Sequence, residues 1–229
     1  MKRKHFLLFI VILILAGFAA GTKAQDVYTI TSSELLFQSS TIEKSGEQLN
    51  TNLRFTLFFH LGEYVHFDMG NYVGLYTGLG IRNVGFITEE NGIKTKYRSY
   101  MLGAPLALKL GSFKDRFYVY GGGEYEWMFA FKQKTFVDEQ KIKYNEWFSN
   151  RTPSLIPSLF VGIQFPYGLN FKFKYYLNDF LNHEYQGSDA YSDYTAFTRT
   201  QVWYISMSIQ IRNSKRKEFY DSPGQMAKR

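Results

Sequence analysis

Two carboxylates stand two positions apart in a stretch that is otherwise rich in aromatic residues, RFYVYGGGEYEWMFAFK (116–132). Such a pair, here Glu124 and Glu126, can serve as general acid and base. Alternate residues of the stretch, however, divide into an apolar set that includes Tyr125 and Trp127 and a polar or glycine set that holds both glutamates. A period of two indicates a strand with two unlike faces. Because basic residues occupy the polar faces of other strands, we interpret the glutamates as members of an interior salt-bridge network.

His60, His66 and Asp68 are the candidate metal ligands, but their spacing matches no established ligand pattern. The chain has no cysteine, which excludes thiolate ligands and disulfides. A lipid-modifying enzyme would need a nucleophile, a histidine and an orienting group at the depth of the lipid, and His60 is the one histidine within a predicted strand. The sequence therefore predicts no catalytic residue, no cofactor and no metal, with a lipid-modifying enzyme as an alternative.

The alternation recurs along the chain and predicts eight strands, with no sustained helical period. They span 27–38, 52–61, 72–82, 99–110, 116–132, 154–165, 169–178 and 198–212. The connections predicted as loops are 39–51, 89–94, 133–153 and 183–193, and those predicted as turns are 62–71, 111–115 and 166–168. An even strand number with loops at one end and turns at the other is typical of an all-β fold, an eight-stranded antiparallel transmembrane up-and-down β-barrel.

The direction of the two faces decides between this barrel and a soluble one. The apolar faces are uniform and long enough to cross a bilayer, whereas the polar faces combine glycine with charges of both signs. We therefore predict a lumen charge network that fills the narrow interior: Arg54, Arg82, Lys109, Glu124, Glu126, Lys132, Lys172, Lys174 and Arg212. A lipid-facing girdle of aromatic residues is predicted at Tyr100, Tyr125, Trp127 and Trp203.

The two ends of the chain differ from its body. Residues 1–24 have a basic start, an apolar run and small residues before Gln25, which predicts a signal peptide that is cleaved on export. Residues 25–212 form the predicted barrel, and 213–229 a short periplasmic tail without fixed structure. The formal net charge of +7 belongs to the two ends, so a nucleic-acid partner is excluded.

Aromatic residues in two predicted loops are candidates for contact with a partner. Trp147 and Phe148 lie in the third loop, and Tyr185 and Tyr191 in the fourth. Loops carry function more often than the framework does, and exposed aromatic side chains suit protein interfaces. We expect outer-membrane lipid around the barrel and other envelope or secretion proteins as partners. A small-solute channel is a further alternative.

The strand SYMLGAPLALKL (99–110), followed by RFYVYGGGEYEW (116–127), resembles the core of the PorT-like outer-membrane β-barrel family of Bacteroidota. The resemblance covers most of 25–212 and implies a barrel of the OmpA/OmpX type in the outer membrane of a Gram-negative bacterium. Some PorT-like proteins serve type IX secretion, so the resemblance also implies, as an alternative role, a place in that machinery. Gly103 and Ala104 stand where the family has bulkier residues.

Overall fold

The computed structural model describes residues 26–137, 140–187, 189 and 191–213. The strands in this part of the chain are β1 Asp26–Lys44, β2 Glu47–Gln48, β3 Asn50–Asn52, β4 Arg54–Thr56, β5 Leu61–Asp68, β6 Val73–Glu90, β7 Ile93–Ser112, β8 Phe117–Val137, β9 Gln140–Trp147, β10 Leu155–Gln164, β11 Leu169–Tyr176 and β12 Phe197–Asn213. A 3₁₀ turn, Pro166–Gly168, joins β10 to β11. Within the described ranges, no helix has the length and hydropathy needed to cross a membrane.

Eight of these strands close into an antiparallel ring. Its order is β1, β5, β6, β7, β8, β10, β11 and β12, and β12 pairs with β1 again. Paired residues followed around the ring from Thr29 lead back to Ser39 on the same strand, a stagger of ten residues (39 minus 29). Such a stagger tilts the strands and gives an interior that side chains can fill. The predicted all-β antiparallel barrel is confirmed.

The apolar and polar faces of the barrel wall have the directions that the alternation of apolar and polar residues predicts. Ile209 and Val161 are 63% and 59% exposed on the outside, whereas Lys109 and Lys174 are 0% exposed on the inside. A soluble barrel would reverse this arrangement, because apolar side chains would then fill the core. With oily residues outside and ions inside, the barrel is of the transmembrane type.

The strands reach further than predicted at the end opposite the chain termini. Two-residue turns with left-handed backbone, at Ser45 and Gly46 (φ 52° and 84°) and at Asn91 and Gly92 (φ 50° and 77°), replace the loops predicted at 39–51 and 89–94. The loop predicted at 133–153 is largely the ladder between β8 and β9. The turn predicted at 62–71 is wrong, because most of it is β5. The remaining long connection runs between β11 and β12.

The sheet register changes by one residue between Tyr100 and Met101, because Phe129 on β8 has no partner on β7. An extra residue of this kind reverses the alternation of every residue beyond it. Phe131 is consequently inside the barrel and 1% exposed. Lys132 is outside, with its ammonium 5.1 Å from the centre of the Tyr100 ring. The prediction that Lys132 faces the lumen is therefore wrong.

One strand of the ring, formed by β4 and β5, is interrupted within the apolar outer face of the barrel. β4 ends at Thr56, β5 begins at Leu61, and residues 57–60 leave the sheet. Phe58 and Phe59 are 75% and 64% exposed, and Phe59 has a φ of 66°. Because the interruption breaks the alternation, Phe58 does not face inward as its position in a continuous strand would require.

Side chains take the place of strand pairing beside this interruption. Arg54 Nη1 donates to the carbonyl of Asn83 on β6 (3.1 Å), and Gly85 N donates to Gln38 Oε1 (2.8 Å). Asn83 N donates to His60 Nδ1 (3.3 Å). Buried backbone groups need such partners, so Arg54 and His60 complete the wall of the barrel here.

One carboxylate breaks the uniformity of the apolar outer face. Glu63 on β5 points outward between Leu61, which is 62% exposed, and Phe67, which is 36% exposed. Its carboxylate accepts hydrogen bonds from Thr31 Oγ1 (2.6 Å) and Asn213 Nδ2 (3.3 Å). An acidic side chain that faces lipid destabilises a transmembrane barrel, even where neighbouring donors reduce the cost.

We therefore expect Glu63→Leu to raise the free energy of unfolding in lipid vesicles by about 1 kcal/mol. The exposed Glu47→Leu, on the two-residue strand β2, is the matched control and should leave that free energy unchanged. Chemical denaturation followed by tryptophan fluorescence would measure both variants. A destabilised Glu63→Leu barrel would contradict the outward position of this side chain.

The predicted signal peptide, 1–24, and residues 214–229 of the predicted tail lie outside the described residues. Asn213, the first residue of the predicted tail, is the last residue of β12.

Candidate functional site: the barrel interior and the β8–β9 extension

Arg82 on β6 lies at the centre of the barrel interior. Its Nη1 is 2.6 Å from Glu124 Oε1 and 3.2 Å from Glu126 Oε1, both on β8. Its Nη2 is 3.3 Å from Glu34 Oε1 on β1 and donates to the Tyr64 hydroxyl at 2.7 Å. The planar guanidinium thus contacts side chains from several strands, which suits a group with several donors in fixed directions.

Two lysines of β11 complete the network. Lys172 Nζ is 2.9 Å from Glu34 Oε1. Lys174 Nζ is 2.5 Å from Glu124 Oε2 and 3.0 Å from Glu126 Oε2. With Arg82 the network holds three cations and three carboxylates, each at most 8% exposed in its side chain. Their charges balance, which offsets the desolvation that burial imposes on each ion.

Glu34 is the member of the network that the sequence prediction missed. A signal was present, because Ser32, Glu34 and Gln38 alternate with exposed Thr31, Ser33 and Phe37 along β1. The outward residues Thr31 and Ser33 are small and polar, so the contrast between the two faces of this strand is weak in the sequence.

Lys109 forms a second, separate cluster near the end that carries the chain termini. Its Nζ is 2.5 Å from Asp68 Oδ1 and 3.0 Å from His66 Nδ1, and 4.6 Å from the centre of the Phe113 ring. Arg212 lies at the rim beside this cluster and is ion-paired with Asp26. Of the nine residues predicted for the lumen network, the structure thus brings together Arg82, Glu124, Glu126, Lys172 and Lys174.

Little space remains beside the network. The cavity beside Arg82, Glu34 and Lys172 measures about 10 Å³, room for one water molecule. Among the described residues, no group of three or more acidic, histidine or cysteine side chains has the arrangement of a metal site. His66 is stacked between the rings of Tyr28 and Tyr76, 5.1 and 5.0 Å away. The interior around the network is thus densely packed, and its ions are paired.

Trp127 of the predicted girdle and Trp147 and Phe148 of the predicted third loop form one outward surface. Trp127 stacks on Phe148 with ring centres 5.6 Å apart, and Phe129 stacks on Trp147 at 5.9 Å. Trp147 and Phe148 are 70% and 66% exposed. Together with the outward Tyr125 on β8, these side chains have the position of an interfacial belt of aromatic residues. Around the barrel, Tyr100 and Trp203 also face outward, Trp203 against Phe173 at 5.9 Å.

Arg151 ties the fourth loop to the ladder of β8 and β9, from Ala130 to Val137 and from Gln140 to Trp147, which we call the β8–β9 extension. Its guanidinium lies 4.7 Å from the centre of the Tyr144 ring and 4.6 Å from that of Tyr185. Gln133 Nε2, further inside, donates to the carbonyl of Tyr191 at 2.6 Å. Tyr185 and Tyr191 are therefore partly buried within the protein, so less of their surface is exposed to a partner than the sequence predicts.

An exposed hydrogen bond also joins these two segments. Tyr144 on β9 donates its hydroxyl to Asp189 Oδ2 at 2.5 Å. This hydrogen bond holds the pKa of Asp189 below its usual value. Desolvation first, and then the Asp189 carboxylate, raise the pKa of Tyr144.

Removal of the Arg151 side chain should release the fourth loop while leaving the barrel intact. In Arg151→Ala we expect faster cleavage within 177–196 by an added protease on whole cells, because the side-chain contacts that hold this irregular segment are lost. The control, Arg199→Ala, removes an exposed arginine of β12 that pairs with Glu43. Equal cleavage of the two variants would show that Arg151 does not hold the loop.

The comparisons with known proteins find similar barrels but no relative in sequence. No family model and no curated protein sequence matches the chain. Among solved structures, Neisserial surface protein A is 6% identical over 82% of this chain and 99% of that chain, with a TM-score of 0.43. Ail, the attachment invasion locus protein of Yersinia pestis, is 12% identical over 80% and 99%, with a TM-score of 0.39. The outer membrane protein OprG of Pseudomonas aeruginosa is 13% identical over 83% and 98%, with a TM-score of 0.37.

These identities are too low to place the chain in a family. The fold rests instead on the strand ring of this chain, its stagger of ten residues from Thr29 to Ser39 and its outward apolar face. On that evidence the chain is an outer-membrane-type, eight-stranded β-barrel.

Proposed function

We propose that this chain is a closed barrel of the Gram-negative outer membrane, and that it acts as a structural or interaction protein without enzymatic activity. The observation that carries the proposal is the interior network around Arg82, whose balanced ions occupy the lumen. A channel needs a continuous water-filled path, and the cavity beside the network has room for one water molecule. In a barrel without such a path, the surfaces left for function are the outer wall and the β8–β9 extension with the paired part of β7. We place this end outside the cell and call it the extracellular extension.

Export by a cleaved signal at 1–24 is part of the same proposal, since an outer-membrane barrel must leave the cytoplasm. A place in a type IX secretion assembly is the narrower version of the interaction role, and it rests on the resemblance of 99–110 and 116–127 to PorT-like barrels. Capture of a stoichiometric partner by crosslinking in the native envelope would test this version. A barrel that stays uncrosslinked would contradict it.

The closed interior can be tested by electrical recording. The purified full chain, inserted into planar bilayers, should give no conductance steps at neutral pH in molar potassium chloride. The matched variant Lys172→Ala/Lys174→Ala removes two of the three cations of the network, so it should conduct if the network closes the lumen. Regular conductance steps from the unmodified chain would overturn the proposal and favour the small-solute channel.

A further inference from the structure

The extracellular extension carries a concentration of basic side chains on one outward surface. They project from the upper parts of β7 and β8 and from β9, and we call them the basic face: Lys94, Lys96, Arg98, Lys132, Lys134, Lys141 and Lys143. Among the described strand partners of these residues, the acidic one is Glu89, opposite Lys94 at the edge. Asp138 and Glu139 lie outside the described residues.

Like charges stand directly opposite each other across this surface. Arg98 pairs with Lys132 and Lys96 with Lys134, while Lys134 also pairs with Lys143. Such pairs destabilise a sheet. The charge of Arg98, above all other causes, lowers the pKa of Lys134. The repulsion between these like charges is compensated when an anion binds at this surface.

Aromatic rings provide a small part of the compensation. The Phe136 ring centre lies 5.4 Å from both Lys96 Nζ and Lys141 Nζ. Exposed cation–π contacts of this kind are weak. They also orient the ammonium groups along the outer surface of the sheet. The basic face is therefore an array of donors arranged over three neighbouring strands.

The position of the basic face indicates which anion it meets. On β7, Arg98 stands two residues above the outward Tyr100, and on β9 Lys143 stands four residues from Trp147 of the aromatic belt. Aromatic belts mark the level of the lipid headgroups. Side chains just above the belt at the extracellular end therefore reach the headgroups of the outer leaflet, which in a Gram-negative outer membrane belong to a phosphorylated glycolipid.

We propose that the basic face is a binding site for the phosphate groups of the outer-leaflet glycolipid. This inference rests on the proposed outer-membrane location. Charge-assisted hydrogen bonds from lysine and arginine to phosphate are stronger than those between neutral groups. Neighbouring strands place Lys96, Lys134 and Lys143 side by side, so several ammonium groups surround one phosphate. A phosphate bound there neutralises the repulsion within the basic face.

The test uses the purified full chain in mild detergent and native mass spectrometry with two probes, bisphosphorylated lipid A and its fully dephosphorylated form. We expect the unmodified chain to bind the phosphorylated probe at least tenfold more tightly. Lys96→Gln/Lys134→Gln should lose most of this preference. The control Lys114→Gln/Arg116→Gln removes two positive charges from the turn at the opposite end of the barrel and should retain it.

Equal binding of both probes, or equal loss in the test and control variants, would overturn the proposal. So would tighter binding of a soluble sulfated polysaccharide than of lipid A, because the site would then serve a different ligand. Heat-dependent mobility on gels verifies that each variant is folded. Since this assay does not depend on conductance, its failure leaves the closed-barrel proposal standing.

Discussion

Replacement of Arg82 by leucine is expected to destabilise the barrel by about 3–5 kcal/mol, the largest effect that we predict for a single side chain. The guanidinium contacts Glu34, Glu124 and Glu126, and the leucine leaves these buried carboxylates with Lys172 and Lys174 alone. Three negative charges then share two positive ones, and the cavity beside them has room for about one water molecule. Equilibrium unfolding in lipid vesicles, followed through a denaturant series, measures the loss.

The matched control for this prediction is Arg199→Leu. Arg199 is also an arginine of a barrel strand, but it is 46% exposed in its side chain and 3.5 Å from a half-exposed Glu43. An exposed ion pair contributes about 0–1 kcal/mol, so the two variants should differ by several fold. Equal unfolding free energies would mean that water reaches the Arg82 network and that the lumen is open.

The second large effect is expected at Gly103, whose missing side chain makes room for the network. A Cβ at this position would overlap Glu124 Oε1 and lie 2.8 Å from Glu126 Cγ. Both carboxylates are fixed by Arg82 and Lys174, so they cannot move aside without breaking ion pairs. We expect Gly103→Ala to cost about 1–3 kcal/mol, the usual range for overpacking.

Gly121→Ala is the control for Gly103→Ala. The added Cβ of Gly121 faces outward, and its nearest neighbours lie at an ordinary 3.5 Å. Alanine also restricts the unfolded chain, so this variant should be neutral or more stable by about 0.4–1 kcal/mol. If both variants had the same stability, the dense packing around Glu124 would be contradicted.

The sequence predicts the ring of strands because apolar and polar residues alternate wherever one face of a strand meets lipid and the other meets packed ions. The prediction fails where a local feature interrupts that alternation. The unpaired Phe129 reverses the faces beyond it, and no residue type near it marks the change, since Trp127, Phe129 and Phe131 are all large and aromatic. The break after Thr56 is likewise hidden, because LFF continues the apolar pattern while leaving the sheet.

Five of the six members of the interior network, all except Glu34, were predicted from the sequence, but their contacts were not. Arg82, Glu34 and Glu124 lie on strands that are not all neighbours, and they meet because the stagger of the ring brings them to one level. The stagger depends on every pairing around the barrel, so it is not readable from one strand. Lys109 and Arg212 share the inward face and yet lie too close to the end that carries the chain termini to join the network.

The central claim is that the apolar face of the barrel wall points outward and the charged face points inward. Because the chain has no cysteine, the exposure of introduced cysteines measures this directly. Single cysteines at Ile205, Met207 and Ile209, and at Ser206 and Ser208 between them, would carry a spin label in lipid vesicles. We predict that collisions with oxygen dissolved in the hydrocarbon are frequent at 205, 207 and 209 and rare at 206 and 208. Frequent collisions at 206 and 208 instead, or no alternation at all, would contradict a barrel with its ions inside and its apolar face toward lipid.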